Sequence, residues 1–364
     1  MAEDKTLQER GSGCGYGKMN FIILILIFVF FIFLPFVPSI IELLAPADDK
    51  PLPVKDYSRD ARYFGGSFRR ILKDSLQKAG YKKNTSEIKL SSGLEKIEII
   101  VSSDFNSYEK NIDHILLVSG NLTAKHDSNF NKEIYIGGNA YFGDNNIIRA
   151  AAVDRNVEIS RSAKIIRWLD VNGGIKAGEG AELGMSAACS ETFQLSNGCR
   201  FRRLFGNPIL TLQDTSKVDY GLMDSERTDI NNASISTYFN EIINEDMRYD
   251  EPAIINGNLI INGSLEINNE FTINGDVKAG GNITVKNAKN VNFLGNIISD
   301  KTIRMSGNIK VYGNIFAQEE IELEGVEVGN INKTKSVISK KKLILGKNVA
   351  IYGFVLTEGI GIVG

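Results

Sequence analysis

Apolar residues recur in pairs, two positions apart, once every six residues between positions 256 and 285. Turn-tolerant residues, mostly Asn and Gly, lie between the pairs Leu259/Ile261, Leu265/Ile267, Phe271/Ile273, Val277/Ala279 and Ile283/Val285. An extended triplet with both ends facing inward, followed by a turn residue, describes a short strand and a corner. Three such sides make a coil of eighteen residues. The pattern therefore predicts a three-sided parallel β-helix, or β-solenoid.

Two other structures are excluded by the same spacing. A helix would place apolar residues three and four positions apart, and frequent Gly and Asn would destabilise it. A meander of hairpins would need strands of about five or six residues. The six-residue period matches neither structure.

A second series in the same period lies upstream and contains eight successive pairs. These are Val157/Ile159, Ala163/Ile165, Leu169/Val171, Ile175/Ala177, Ala181/Leu183, Ala187/Cys189, Phe193/Leu195 and Cys199/Phe201. We expect an all-β chain with a first β-helical domain over residues 88–210 and a second over residues 253–364. Residues 211–252 read as a polar linker or insertion, with a short helix over residues 235–247. The pattern leaves open whether the two domains form one stack.

The C-terminal end of the second series is strongly apolar and has no polar segment after it. The residues concerned are Phe354, Val355, Leu356, Ile360, Ile362 and Val363. An uncapped solenoid edge presents unpaired backbone groups that template another strand. These residues are therefore predicted to mediate end-to-end self-association.

Small loops at corners are expected near residues 286–290 and shortly before Leu343.

The N-terminal region predicts a membrane anchor. A polar, disordered tail is expected over residues 1–19, and residues 20–41 contain an uncharged apolar run long enough for one transmembrane helix. Its representative membrane-facing residues are Phe21, Ile25, Phe28, Phe31 and Leu34. A cleaved signal peptide is the alternative, but the run is long and lacks a small-residue cleavage pattern. Lys and Arg nearly balance across the span; we take the N-terminus as cytoplasmic and the body as extracytoplasmic.

Residues 42–57 contain three prolines and read as a stiff linker. Residues 58–87 form an amphipathic helical segment, with apolar positions that include Phe64, Phe68 and Leu72 at helical spacing. We expect this helix to cover an exposed end of the solenoid. The alternative is a membrane-surface role, because several arginines lie along it near the anchor.

The composition of the chain limits which partners and cofactors are expected. The formal net charge is −2 and charges of both signs are interspersed, so no basic stripe indicates nucleic acid. Cys189 and Cys199 fall on inward positions and are predicted to be core thiols, whereas Cys14 lies in the tail. No motif for a cofactor or metal is present, and none is expected.

The Asn-Gly-x-aliphatic-x-aliphatic hexads, the extent of residues 253–364 and the apolar C-terminal end resemble the bactofilin family of polymer-forming bacterial cytoskeletal proteins. The resemblance covers the last third of the chain well and residues 134–210 loosely. It implies a right-handed β-helix that polymerises through its ends without a nucleotide, often at a membrane. The chain departs from the family in its apolar N-terminal span, its long preceding region and its second solenoid stretch.

Two classes of β-helical enzyme are the competing interpretations. Acyltransferases with hexapeptide repeats need a catalytic His, and this chain has only His114 and His126. Polysaccharide lyases and hydrolases use carboxylates on an outer face, and acidic and basic clusters are present at Glu319, Glu320, Glu322, Glu324, Glu327, Lys340, Lys341 and Lys342. A solvated charged face explains those clusters without catalysis.

The sequence therefore favours a non-catalytic, single-pass protein of the bacterial inner membrane that self-assembles and scaffolds envelope or polysaccharide-machinery proteins. The alternative is an envelope enzyme or glycan-binding protein that uses an outer face of the β-helix.

Overall fold

A computed structural model describes residues 14–34, 37, 60–78, 80, 87–89, 96–107, 110–211, 236–239 and 242–364. The predicted tail over residues 1–13 and the predicted linker over residues 42–57 lie outside these ranges. The chain divides into two compact units, Met1–Arg59 and Asp60–Gly364.

The first unit contains helix α1, Cys14–Phe33. The helix includes Phe21, Ile25, Phe28 and Phe31, and Leu34 follows its last residue. The helix begins at Cys14, within the segment 1–19 that the sequence assigns to the tail. None of the helices in the described ranges combines enough length with enough apolar character to cross a membrane.

The second unit contains helix α2, Tyr63–Lys78, and two solenoids. The first solenoid consists of β1 Glu87–Lys89, β2 Lys96–Ile100, β3 Asp104–Ser107, β4 Asn111–Ile112, β5 Ile115–Val118, β6 Asn121–Ala124, β7 Asn129–Ile136, β8 Ala140–Phe142, β9 Ile147–Val153, β10 Val157–Ile159, β11 Lys164–Val171, β12 Ile175–Ala177, β13 Glu182–Leu183, β14 Ser186–Cys189, β15 Phe193–Leu195 and β16 Arg200–Thr211.

The second solenoid consists of β17 Ser236–Phe239, β18 Ile242–Ile243, β19 Met247–Tyr249, β20 Ala253–Gly257, β21 Leu259–Ile261, β22 Leu265–Ile267, β23 Phe271–Asn274, β24 Val277–Ala279, β25 Ile283–Phe293, β26 Ile297–Ser299, β27 Ile303–Val311, β28 Ile315–Ala317, β29 Glu320–Val328, β30 Lys335–Ser339, β31 Lys342–Leu345 and β32 Ala350–Val363. Together the two solenoids make about 13 turns. At the usual strand spacing the column is roughly 60 Å long.

Apart from β1, which pairs antiparallel with β2, strands within each solenoid pair in parallel with the strand one coil later, usually eighteen residues on. Val157 lies opposite Ile175, and Ile175 lies opposite Phe193. The predicted eighteen-residue coil and the parallel solenoid are confirmed. Both predicted series of inward pairs are buried, because alternate residues of each short strand point to the interior. Cys189 and Cys199 are buried free thiols, as predicted.

We name the three sides of the column by the strands that form them. Face A contains β1, β2, β5, β14, β18, β21, β24, β26, β28 and β30; face B contains β3, β6, β8, β10, β12, β15, β17, β20 and β23; face C contains β4, β13, β19, β22 and β31. The longer strands β7, β9, β11, β16, β25, β27, β29 and β32 turn a corner and contribute to more than one face.

Asn and Asp side chains stack at the corners from coil to coil. The backbone N–H of Asp276 donates to Asn258 Oδ1 at 2.9 Å, and that of Asn314 donates to Asn296 Oδ1 at 2.9 Å. Such bonds satisfy corner N–H groups that the strands do not use. The predicted corner loops are also present: Phe271 pairs with Val291, twenty residues on, and Phe316 pairs with Ile338, twenty-two residues on.

The second solenoid begins earlier than predicted. Residues 236–249 form β17, β18 and β19, which pair with β20, β21 and β22. The predicted short helix over residues 235–247 is therefore wrong. Met247 and Tyr249 continue the six-residue phase of Leu259 and Ile261, and this signal was hidden by the polar residues between the strands.

The two solenoids meet through their last coils, and the strands there run antiparallel. β16 pairs with β32 on all three faces: Arg200 opposite Ile362, Arg203 opposite Leu356, Leu204 opposite Val355, Phe205 opposite Phe354 and Ile209 opposite Ile351. We call this contact the junction. The chain leaves it at Thr211 and enters the second solenoid at Ser236, at the far end of that solenoid.

Helix α2 lies on a side of the first solenoid. Its apolar residues Phe68 and Leu72 pack on Ile97, Ile115, Leu117 and Ala152 of face A. The predicted position over an end of the solenoid is therefore wrong. The outward residues of face A are apolar or small here, so the apolar side of the helix can pack on them. A polar outer face would not bind the helix in this way.

Candidate functional site

The contact between α2 and face A is built around a buried carboxylate. Asp170 is almost fully buried, with its side chain 3% exposed. Arg62 Nε donates to Asp170 Oδ2 at 3.1 Å and Arg62 Nη2 donates to Oδ1 at 3.0 Å. Arg69 Nη1 donates to the same carboxylate, and Arg69 Nε donates to Asp154 Oδ1 at 2.9 Å. Bidentate pairs of this kind are the strong form of ion pair.

The surroundings of Asp170 complete this polar network. Arg62 also donates to Asn172 and to Ser190, and the Tyr135 hydroxyl donates to Asp154. Burial and this bond together raise the pKa of Tyr135 to about 12. Burial alone would lower the pKa of Arg69, but its bonds to Asp170 and Asp154 more than offset that and raise it. Both arginines are therefore committed to the solenoid.

Close packing holds the same helix against face A. An added Cβ at Gly65 would lie 2.0 Å from Asp170 Oδ1, so only glycine fits there. The Phe64 ring stacks on Trp168 with centroids 5.2 Å apart and on Phe68 with centroids 5.6 Å apart. These contacts indicate that α2 has a structural role, because they pack the helix against face A. Arg62 and Arg69, which the membrane-surface alternative counted among its basic residues, face the protein.

The residues predicted to mediate self-association lie in the junction. Val355 and Val363 are buried, Phe354, Leu356 and Ile362 are half-buried, and Ile360 is exposed. The N–H of Val363 donates to Cys199 O at 3.0 Å, and that of Gly198 donates to Val363 O at 2.9 Å. The prediction of an uncapped C-terminal edge is therefore wrong. The sequence shows that this edge is apolar but does not show that its partner belongs to the same chain.

Side chains also fit across the junction. The ring of Phe201 lies over Gly361, where an added Cβ would be 2.2 Å from Phe201 Cε2. Phe205 and Phe354 face each other with centroids 5.9 Å apart. Thr211 Oγ1 donates to Gly346 O at 2.7 Å and accepts from the N–H of Val349 at 3.0 Å. The contact has the close packing of a protein interior.

The opposite end of the second solenoid is built differently. We call β17, β18 and β19 the free end because, within the described ranges, each pairs only with the coil that follows it. Ile243, Met247 and Tyr249 are partly buried on the core, and Ile242 is 62% exposed. The Tyr249 ring lies 4.9 Å from that of Phe271, and burial raises the pKa of Tyr249 to about 12. Within the described residues, this end of the second solenoid, and not its C-terminal coil, pairs on one side only.

The residues considered for enzymatic roles do not form a common site. His114 contacts Glu98, whereas His126 Nδ1 accepts from the N–H of Asp144 at 3.1 Å at another corner. Among the residues the structure describes, no group of His, Cys, Asp and Glu could hold a metal ion.

The acidic and basic clusters pair with each other across one coil. Lys341 Nζ donates to Glu319 Oε1 at 2.8 Å, which holds the pKa of Glu319 below its usual value, and Glu320 lies opposite Lys342. Glu322 lies 3.5 Å from Arg304. These pairs are a solvated charged ladder.

The chain matches no protein-family model, and no curated protein and no solved structure is significantly similar to it.

Proposed function

We propose that this protein is a non-catalytic structural protein whose solenoid column associates with a second copy through the free end and serves as a scaffold for partners. The free end takes the role that the sequence assigned to the C-terminal coil, whose edge is paired within the chain. The proposal includes a right-handed winding of the coils, as the resemblance to bactofilins implies.

The observation that carries the proposal is the apolar coil at the free end, which among the described residues pairs on one side only. Its strands offer N–H and C=O groups on their outer side, and Ile242, Ile243 and Met247 add apolar surface. An edge of this kind favours the addition of another strand. The junction shows that two ends of this chain can pair edge to edge in the antiparallel sense. The same geometry between two copies would give a two-fold symmetric contact.

A contact through the free end alone would close into a dimer of columns. At the other end of the column, β3 and β4 pair only with the following coil within the described part of the chain. Ile100 and Phe105 are partly buried there on the core. Polymers longer than a dimer would require this second end to associate as well.

Membrane attachment through the N-terminal region is part of the same proposal. The apolar side chains of residues 23–33 of α1, including Ile25, Phe28 and Phe31, are exposed in their own unit, as is Leu34. Exposed side chains of this kind need an apolar environment. We propose the bacterial inner membrane, with the column on its extracytoplasmic side.

Protease treatment of spheroplasts tests on which side of the membrane the column lies. The column should be cleaved without lysis, and protection until lysis would contradict an extracytoplasmic position.

The test of self-association compares two matched isoleucines. Ile242 at the free end is 62% exposed, and Ile331 in a loop beside the junction is 65% exposed. Full-length protein in mild detergent should form end-to-end assemblies visible by negative-stain electron microscopy. Ile242→Lys should reduce them to single columns, whereas Ile331→Lys should leave them intact. Single columns in the wild type, or equal assemblies in both variants, would contradict the proposal.

Glycan binding is the second candidate function, and a groove on face B supports it. The groove has a volume of about 470 Å³ and carries Asn139, Tyr141, Glu158 and Lys176 on adjacent coils. Polar side chains beside an aromatic ring suit a sugar chain. Saturable binding of an oligosaccharide by monodisperse columns, lost in Tyr141→Ala, would favour this function.

A further inference from the structure

Face A of the second solenoid carries an outward row of apolar residues. Ile298, Phe316, Ile338 and Leu356 lie opposite one another on consecutive coils, and all are half-buried. We call these four residues the apolar row. Phe354 and Phe205 extend the apolar surface across the junction. Outward positions of a solenoid usually face water, so a continuous apolar row needs an explanation.

The other two faces of the same solenoid lack such a row at equivalent positions. Outward residues on face C are Arg248, Glu266, Thr284, Arg304 and Glu322, followed on the last two coils by Ile344 and Ile362. Outward residues on face B include Thr272, Asn292, Lys310 and Glu327. The fold is the same on all three faces, so coil formation does not require the apolar row. The difference points to something that covers face A.

The first solenoid shows what covers this face. The apolar row continues, across the junction, the outward positions on which α2 lies, because Leu356 is opposite Arg203 and Ala188 is opposite Phe205 on the same face. There an amphipathic helix runs over Leu117, Ala152 and Trp168 and buries its apolar side. The apolar row is thus continuous with an established helix-binding surface.

The dimensions agree with a helix of similar length. Lys278 precedes the apolar row and Arg203 follows it, five coil steps apart. Five steps span about 24 Å at the usual strand spacing. A helix of about sixteen residues has the same length, and α2 has 16 residues.

Charge decides between a second copy and another partner. Lys278 and Arg203 are both exposed, so the apolar row has a positive charge at each end. Helix α2 of a second copy is a poor occupant, because its exposed residues include the basic Arg70 and Lys73, which the positive ends of the apolar row would repel. Two copies packed face to face about a two-fold axis would place Lys278 near Arg203 of the other copy. A membrane surface is disfavoured because the exposed charges of Asp300 and Lys340 flank the row.

We propose that the apolar row is a docking site for an amphipathic helix of a partner protein, with aliphatic residues at every third or fourth position and acidic residues in its first and last turns. A carboxylate at each end of the helix would meet Lys278 and Arg203. The inference deepens the scaffold part of the proposed function and rests on it. It can be distinguished from self-association, because Phe316 lies four coil steps from Ile242 along face A and the measurement is peptide binding.

The probe is a synthetic amphipathic helix of about sixteen residues with leucines along one side and Glu in both terminal turns. Fluorescence anisotropy measures its binding to full-length protein in detergent. Two control peptides have the leucines redistributed around the helix, or Lys in place of Glu. Phe316→Lys places a charge in the middle of the apolar row. Thr284→Lys introduces the same charge at an outward, half-buried position of face C, and both variants must keep the wild-type circular dichroism spectrum.

The acidic peptide should bind saturably, and Phe316→Lys should weaken binding at least about tenfold. Thr284→Lys should change it less than about twofold. Lys278→Glu combined with Arg203→Glu should reverse the preference, so that the Lys peptide binds better than the Glu peptide. Lack of saturable binding, equal losses in Phe316→Lys and Thr284→Lys, or an unchanged charge preference would overturn the proposal. Binding to phosphatidylglycerol vesicles that Phe316→Lys abolishes, without peptide binding, would assign the row to lipid instead.

Discussion

The two solenoids have the same coil but differ in what lies outside it. Face A of the first solenoid is covered by α2, which Asp170 anchors through two arginines. Face A of the second solenoid is bare within the described part of the chain and carries the apolar row. Inward residues therefore determine the coil, while outward residues determine what binds to it.

The difference also has a steric basis. Ala150, Ala152 and Ala188 occupy outward positions of face A in the first solenoid, and all three are buried. Small side chains allow the backbone of a helix to come close. The corresponding surface of the second solenoid has the larger Phe316, Ile338 and Leu356, which would hold a helix further out. The first face thus suits a tightly packed helix of the same chain, and the second suits a reversible partner.

The largest expected effect comes from removing the anchor of the covered face. Asp170→Ala leaves Arg62 and Arg69 without their buried partner, and breaking a buried ion pair costs about 3 kcal/mol. Hydrogen exchange should show that residues 62–78 lose protection, while the solenoid strands keep theirs. A matched variant is Asp113→Ala on an exposed corner, which should change nothing in α2. Retained protection of α2 in Asp170→Ala would contradict the anchoring role.

A smaller effect is expected where the two solenoids meet. Gly361→Ala forces a Cβ against the ring of Phe201, and overpacking of this kind costs about 2 kcal/mol. At Gly364 an added Cβ would lie 3.6 Å from Ile344 Cγ2, an ordinary contact, so Gly364→Ala is the control. Denaturant unfolding should show a lower midpoint for the first variant only. Equal midpoints would show that Phe201 is not packed on Gly361.

The smallest effect concerns Tyr135 beneath α2. Its pKa is raised to about 12 in the folded chain, against about 10 when unfolded. The unfolded chain therefore ionises first, and stability falls as the pH rises from about 10 to about 12. Because the side chain is half exposed, the loss should stay below about 1 kcal/mol. Tyr135→Phe should lose less stability than the wild type between pH 9 and pH 11; equal losses would exclude this cause.

The coil itself was predictable because burial repeats along the chain. Alternation within each strand is enough to predict that Leu259, Ile261 and Cys189 point inward. The corner loop before Val291 is visible in the sequence as a break in the six-residue period. The start at β17 was also recoverable, since Met247 and Tyr249 keep the period. These features depend on contacts between residues one coil apart, and such residues are separated by a nearly constant number of positions in the sequence.

The junction and the position of α2 were not predictable in this way. Val363 and Cys199 are far apart in sequence and follow no common period, so nothing in the repeat shows that they share hydrogen bonds. The small outward residues Ala152 and Ala188 were a signal for a covering helix, but only the structure shows Arg62 reaching Asp170. Long-range edge pairing and side-chain networks depend on the folded path of the chain.

The antiparallel junction is the central claim, and an engineered disulfide tests it most directly. Phe205→Cys and Phe354→Cys place two thiols directly opposite each other on β16 and β32, within the separation that a disulfide bridges. Cys14→Ser removes a competing thiol. Oxidation of dilute protein should give one fast-migrating monomer on a non-reducing gel, with cysteines 205 and 354 joined in one chain by mass spectrometry. Free thiols at both positions, or disulfides only between chains, would contradict the account.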